Sequence, residues 1–178
     1  MVDDKQIMEA MAEDSGLGLR LLLGAYKRCI YWHIRRIVVS HEDAQDVTQE
    51  TFVRAYRHFD QCGKNLRAWL YCIATNEAIR LIGRRKGGEL VSLDEVIDNL
   101  PAYAAESYAE DAEEIVVKLQ QAIKSLPLKQ QLVFGMRYYD EMPYKEIAKV
   151  LDVTEAAAKV NYSLARTKIV EYMNAKML

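Results

Sequence analysis

Residues 142–168, MPYKEIAKVLDVTEAAAKVNYSLARTK, read as two short helices joined by a tight turn. Ile147, Ala148, Leu151 and Val153 face inward from the first helix and the turn, and Ala158, Tyr162, Ala165 and Ile169 recur at helical spacing along the second. Thr154 stands where an N-cap belongs, with a hydroxyl free to accept from the first amides of the second helix. The small Ala148 lets the two helices cross closely. The pattern fits a helix-turn-helix, whose second helix can enter the DNA major groove. It also fits a plain helical hairpin within a bundle.

Outward from that stretch, the composition is helical. The chain has 178 residues, with only 8 glycines and 3 prolines, and 51% of its residues are apolar, so a packed core is available. No alternating β-branched run is bounded by turn signals, which argues against strands. The start, MVDDKQIMEAMAED, is acidic and polar, unlike a signal peptide. No apolar run approaches the roughly 20 residues of a membrane span, so no membrane insertion is expected. Three cysteines, Cys29, Cys62 and Cys72, are an odd number without paired spacing, as in a reducing cytosol. Cys29 and His33 could share a helix face, but Cys29 reads better as a small core residue than as a metal ligand. A cytoplasmic protein without metal or cofactor is the expectation.

The net charge of −2 conceals an alternation in sign. Residues 61–87 carry Lys64, Arg67, Arg80, Arg84, Arg85 and Lys86 against Glu77 alone, residues 88–114 carry nine acids and no base, and from 115 onward ten bases face six acids. Two basic blocks around an acidic one suggest two modules, 1–87 and 115–178, joined by a linker at 88–114. Gly87-Gly88, Pro101 and the stretch AYAAESYAED give that linker the character of a solvated tether, with a helical turn at SLDEVIDNL capped by Ser92. An acidic segment could instead mimic nucleic acid and cover a basic surface.

The first module reads as three or four helices, over about residues 4–11, 18–39, 41–59 and 66–85. Leu19, Leu22, Leu23, Tyr26, Ile30, Ile34 and Ile37 form the stripe of the second, and Leu66, Leu70, Ile73, Ala74 and Leu81 the inner face of the fourth. The third has Glu42 and Asp43 at its positive end. It sets Asp46, Gln49, Glu50, Val53 and Arg57 along one side, against Ala44, Val47, Thr51, Ala55 and Phe59 on the other. Such a polar face is either solvated surface or a dock for a basic helical partner.

Three segments, DAQDVTQETFVRAY at 43–56, LRAWLYCIATNEAIRLIGRRK at 66–86 and LPLKQQLVFGMRYYDEMPYKEIAKVLDVTEAAAKV at 126–160, follow one another in an order that closely resembles the bacterial extracytoplasmic-function (ECF) sigma factors of the sigma-70 family. The resemblance spans about residues 15–172. It implies an all-α chain of two small helical domains, a sigma region 2 bundle and a sigma region 4 helix-turn-helix. The implied activity is promoter-specific transcription initiation, without catalysis of its own. The implied partners are core RNA polymerase, through its β′ clamp helices and β flap, promoter DNA, and an anti-sigma factor.

The resemblance also assigns residues. Asp43, Asp46, Gln49 and Glu50 would meet the β′ clamp helices, where carboxylates and an amide can pair with cations. The loop with Gln61, Gly63, Lys64 and Asn65 would capture an unstacked base of the −10 element, with Asn76, Arg80, Arg84 and Arg85 facing the promoter on the next helix. Trp69 lies there too, but core packing is the better reading of its side chain. Thr154, Glu155, Lys159, Asn161, Arg166 and Lys168 would serve the −35 element. The chain departs from the pattern at Asp152, where glycine is common, although aspartate tolerates the left-handed conformation. It departs again in an alanine-rich recognition helix with few bases, which implies fewer phosphate contacts. A stand-alone helix-turn-helix regulator is the alternative; it would not need the acidic face around Asp46. An enzyme finds no support, because no HExxH, phosphate loop or nucleophile elbow occurs.

Overall fold

The computed structural model describes residues 2–38, 40–85 and 114–175. Its helices are α1 Asp4–Glu13, α2 Ser15–Ile37, α3 His41–Arg57, α4 Leu66–Arg85, α5 Glu114–Lys124, α6 Leu128–Tyr138, α7 Tyr144–Leu151 and α8 Glu155–Ala175, with a 3-10 turn at Phe59–Gln61. No strand occurs among the described residues. Neither the expected linker turn at Ser92 nor the course of the acidic block up to residue 113 falls within them.

Side-chain caps set the helix starts. Asp14 accepts from the amides of Gly16 at 2.9 Å and Leu17 at 3.1 Å, which starts α2 at Ser15 rather than at Gly18. Ser40 accepts from Asp43 N–H at 3.0 Å, Asn65 from Ala68 N–H at 2.8 Å and Thr154 from Ala157 N–H at 3.1 Å, opening α3, α4 and α8. Helix α1 runs two residues beyond expectation to Glu13, and α3 stops at Arg57, where the chain tightens into the 3-10 turn. Asp152 ends α7 in the left-handed conformation at φ 50°, ψ 50°, the geometry the helix-turn-helix requires.

Helices α1 to α4 form one bundle and α5 to α8 another. Between α1 and α2 the approach is close: a Cβ on Gly18 would lie 2.5 Å from Met11 Cα. The two bundles are packed together. Helix α7 lies on α4 and α6 touches α2, and a single buried apolar cluster runs from Ile7 through Leu22, Leu70 and Ile79 to Met136, Ile147 and Ala158. A smaller cluster of Ala122, Leu126, Phe134, Ala165 and Ile169 joins α5 and α6 to α8. The joint explains α4. Of its expected inner residues, Leu66, Leu70 and Ala74 are buried and Ile73 and Leu81 only half-buried, while Ala68, Tyr71, Thr75, Glu77, Ala78, Ile79 and Ile82 are buried as well. A helix covered on one side by α2 and α3 and on the other by α7 has little outer face left, which weakens its amphipathic pattern.

Candidate nucleic-acid interface

The polar face of α3 is built by its own periodicity. Thr48, Thr51, Phe52 and Ala55 turn into the bundle, which leaves Asp46 and Gln49 exposed and Glu50 half-buried beside them. Glu50 is not free: Arg54 donates to it at 2.7 Å and reaches Glu77 of α4 at 3.3 Å, and Glu77 also holds Arg80 at 2.7 Å. Glu77 is buried, so the two arginines compensate a carboxylate that could not stand there alone. Asp43 departs from the other three. It is buried at the start of α3, and its two carboxylate oxygens accept from Nη1 and Nη2 of Arg85, each at 2.6 Å. Two residues with separate expected roles thus meet in one bidentate pair that ties α3 to the end of α4. Beside the face, α2 and α3 enclose a groove of about 1,120 Å³ with Leu19, Leu23, Phe52 and Val53 as its floor and Lys27, Arg28 and Arg57 at its margins.

In the loop before α4, Gln61, Gly63 and Lys64 are exposed. Asn65 caps α4 with its side-chain oxygen, while its Nδ2 donates at 3.0 Å to Glu146 of α7, in the other bundle. Trp69 is half-buried, edge-on to Phe59 at 5.8 Å, so it packs as a wall of the bundle. Asn76 is half-buried and turned toward Cys72 Sγ, Arg80 is engaged with Glu77, and Arg84 is exposed.

Next to Asn65 lies the strongest polar contact between the bundles. The turn after α6 carries Asp140, whose side chain is only 5% exposed. Arg36 of α2 donates to its carboxylate at 2.5 Å, His33 Nδ1 stands 3.7 Å away, and Arg67 of α4 donates to its backbone carbonyl. Arg36 also lies over the Tyr139 ring at 4.9 Å. His33 is itself buried, shares a hydrogen bond with Thr75 at 2.8 Å, and packs against Tyr71. Burial drives the Asp140 carboxyl upward, but His33 and Arg36 outweigh it and hold it below the usual carboxylate range. Burial in turn holds His33 below the usual imidazole range. The turn that delivers Asp140 places Glu141 at φ 50°, a conformation that non-glycine residues adopt at a cost of roughly 1–3 kcal/mol. The sequence marked His33 only beside Cys29 and Arg67 only within a basic block, and Arg36, Asp140 and Glu146 not at all, because nothing local to any of them marks a pairing across the chain.

In the helix-turn-helix, Thr154 is the cap of α8, and Glu155 pairs with Lys159 at 3.1 Å one turn on. Lys159 also stands 5.9 Å from the Tyr144 ring. Asn161 turns back to donate to Ala157 O at 2.9 Å, while Arg166 and Lys168 are exposed. The expected residues of α8 are thus divided, with Glu155, Lys159 and Arg166 on one flank of the helix and Asn161 and Lys168 on the other, and Asp43 and Arg85 are turned toward each other. Among the described residues, no cluster of three His, Cys, Asp or Glu could hold a metal ion, and no helix is long and apolar enough to cross a membrane.

Comparison with known proteins places these elements. The family described as Sigma-70 region 2 matches residues 22–87, and Sigma-70, region 4 matches residues 117–169. The chain is 30% identical over 155 residues to the ECF RNA polymerase sigma factor SigW of Bacillus subtilis, covering 82% of this chain and 83% of that protein. It is 28% identical over 177 residues to the ECF RNA polymerase sigma-E factor of Escherichia coli, covering 93% and 92%. Its fold is shared with CnrH in complex with the cytosolic domain of CnrY (TM-score 0.71, 20% identity, 97% of each chain). It is also shared with the sigma factor RpoE in complex with the anti-sigma factor NepR from Bartonella quintana (TM-score 0.66, 20% identity, 87% of this chain and 96% of that one).

Proposed function

The chain belongs to the ECF sigma factors of the sigma-70 family, which direct core RNA polymerase to specific promoters, and we propose how its surfaces divide that work. Residues 1–87 act as the region 2 domain and 115–178 as the region 4 domain, with 88–114 between them. The exposed Asp46 and Gln49, with Glu50 at their side, dock the basic β′ clamp helices of the polymerase, and the region 4 domain engages the β flap. The loop with Gln61, Gly63, Lys64 and Asn65 takes the −10 element, supported by Asn76, Arg80 and Arg84 on α4. Helix α8 takes the −35 element. Asp43 and Arg85 contribute by fixing the start of α3 against the end of α4, not by touching a partner. The protein works in the cytoplasm, and an anti-sigma factor is its expected inhibitor, as the two structural relatives solved with CnrY and NepR suggest.

The single observation that carries this division is the α3 face. A stand-alone regulator has no use for outward carboxylate and amide groups beside an apolar groove, whereas a subunit docking on cationic helices does.

The same division means that the packed arrangement is not the working one. Elements centred 25 base pairs apart lie roughly 85 Å apart along B-form DNA at 3.4 Å per step. Here Asn65 of the −10 loop is hydrogen-bonded at 3.0 Å to the helix immediately preceding α8. Both elements cannot be read until α7 leaves α4. Residues 86–113 allow the separation, because a chain of that length reaches roughly 90 Å at full extension.

Run-off transcription from a randomised promoter pool tests the reading. Core polymerase with this chain added should yield transcripts from templates sharing two spaced elements, and core alone should not. Operator binding by the free chain, with no change in what the polymerase transcribes, would favour the stand-alone regulator.

A further inference from the structure

The outward crest of α8 carries no charge over its first three turns. Ala158, Ala165 and Ile169 are buried and fix the inner side of the helix. At 100° per residue, the opposite side holds Ala156, Val160, Ser163, Leu164 and Thr167. Val160 is 56% exposed and Leu164 46%, large apolar side chains facing outward one turn apart. The cations sit to either side: Lys159 and Arg166 flank one edge of the crest and Lys168 the other.

The polar groups that ordinarily read base edges are not on this crest. Arg and Lys read guanine, and Asn and Gln read adenine, through paired hydrogen bonds. Lys159 is engaged by Glu155, the Asn161 amide is committed to Ala157 O, and the Thr167 hydroxyl donates to Ser163 O at 3.1 Å. What an aliphatic ridge can distinguish in the major groove is the 5-methyl group of thymine, the one apolar feature presented there. The flanking cations match the two phosphate backbones that border a groove, and Ala156 and Ala157 let the start of the helix sink into it.

We propose that Val160 and Leu164 read the −35 element by van der Waals contact with thymine methyl groups, while Lys159, Arg166 and Lys168 supply phosphate contacts without sequence information. The assignment rests on α8 being the −35 helix, and its test separates the two claims.

The full chain is assembled with core polymerase, and preferred −35 sequences are selected from a random pool. Each selected thymine is then replaced by deoxyuridine, which removes only the methyl group. At one or more positions, open-complex formation should weaken about fourfold, the equivalent of one buried methyl group. Leu164→Ala or Val160→Ala should weaken thymine templates but not uracil templates, bringing the ratio toward one. Lys168→Ala should weaken both equally. Selected elements without thymine, or equal use of thymine and uracil at every position, would overturn the methyl reading. So would a thymine preference that survives in both apolar variants, or apolar variants that lose core polymerase rather than the thymine preference. If scrambling the whole −35 element changes nothing, the assignment of α8 to that element falls as well. Strong dependence on the element with no thymine preference removes the methyl contact alone.

Discussion

At Asp140 three side chains from the first bundle converge on one turn of the second. Arg36 neutralises the carboxylate, Arg67 satisfies the backbone carbonyl, and His33 adds a polar neighbour that burial keeps neutral. Asp140→Asn preserves the shape but leaves Arg36 without its counter-charge. Losing one partner of a buried pair costs about 3–5 kcal/mol; Arg36 keeps partial access to water, which brings the expected cost nearer about 2 kcal/mol. That loss falls on the joint between the two bundles, where the turn between α6 and α7 meets α2. Amide exchange in α7 should therefore accelerate in the variant while exchange in α3 does not. Both shifted groups have the same sign with pH. His33 and Asp140 are depressed in the fold, so each adds stability that is complete above its unfolded value, about 6.5 and about 3.9, and is lost as pH falls through its folded value. The melting temperature should therefore fall as pH drops below about 6.5, and His33→Gln should flatten that slope; a wild-type profile that stays flat below that pH would contradict it. Gly18 has a steric role instead: Gly18→Ala drives a methyl into the Met11 backbone, an overpacking cost of about 1–3 kcal/mol visible in chemical denaturation. Residues whose role is local were legible in the sequence. Thr154 as a cap and Asp152 as a left-handed turn follow from their immediate neighbours. Asp140 was not, because Arg36 and Arg67 lie 104 and 73 positions away, and nothing in its own turn distinguishes it from a solvated loop residue.

Among the elements, α3 divides most sharply between what its pattern reveals and what it conceals. The alternation of Val47, Thr51 and Ala55 with Asp46, Gln49 and Glu50 gives its faces correctly, because a 3.6-residue period decides burial when one side of a helix is covered. The same period could not reveal that Asp43, on the edge, would turn in to Arg85, since that partner belongs to a different helix. Helix α4 is the converse. Its extent, Leu66–Arg85, follows from Asn65 and the long helical run, but covering on two sides blurs its inner face. The α3 face supports a direct prediction. Asp46→Lys with Gln49→Lys leaves the Glu50–Arg54–Glu77 network intact and sets two cations against the clamp helices, so core binding should weaken by about 2–5 kcal/mol with helix content unchanged. Titration of labelled core polymerase would show it, and an undiminished affinity would remove this face from the interface.

For the whole molecule, the order of the two modules and their helical character were legible, because each carries its own amphipathic helices and turn chemistry. Their packing on one another was not. It depends on apolar surface shared between α4 and α7 and on polar partners drawn from both bundles, and no local window contains both halves. The tether expected from the acidic block lies outside the described residues; among those described, the Asp140 and Asn65–Glu146 contacts hold the two bundles together. On the proposed division of surfaces, the Asn65–Glu146 contact ties the loop before α4 to the domain that carries α8, and opening for the promoter works against that contact. The most direct measurement is the distance between dyes attached at Lys64 and Lys168 through bio-orthogonal residues, read by single-molecule energy transfer in the free chain and in the promoter-bound holoenzyme. The free chain should give a short, narrow distribution, and the promoter complex should move it to roughly 85 Å, the span of two elements 25 base pairs apart. A distance that stays short while the complex initiates transcription, or one already long in the free chain, would contradict a closed protein that opens to read its promoter.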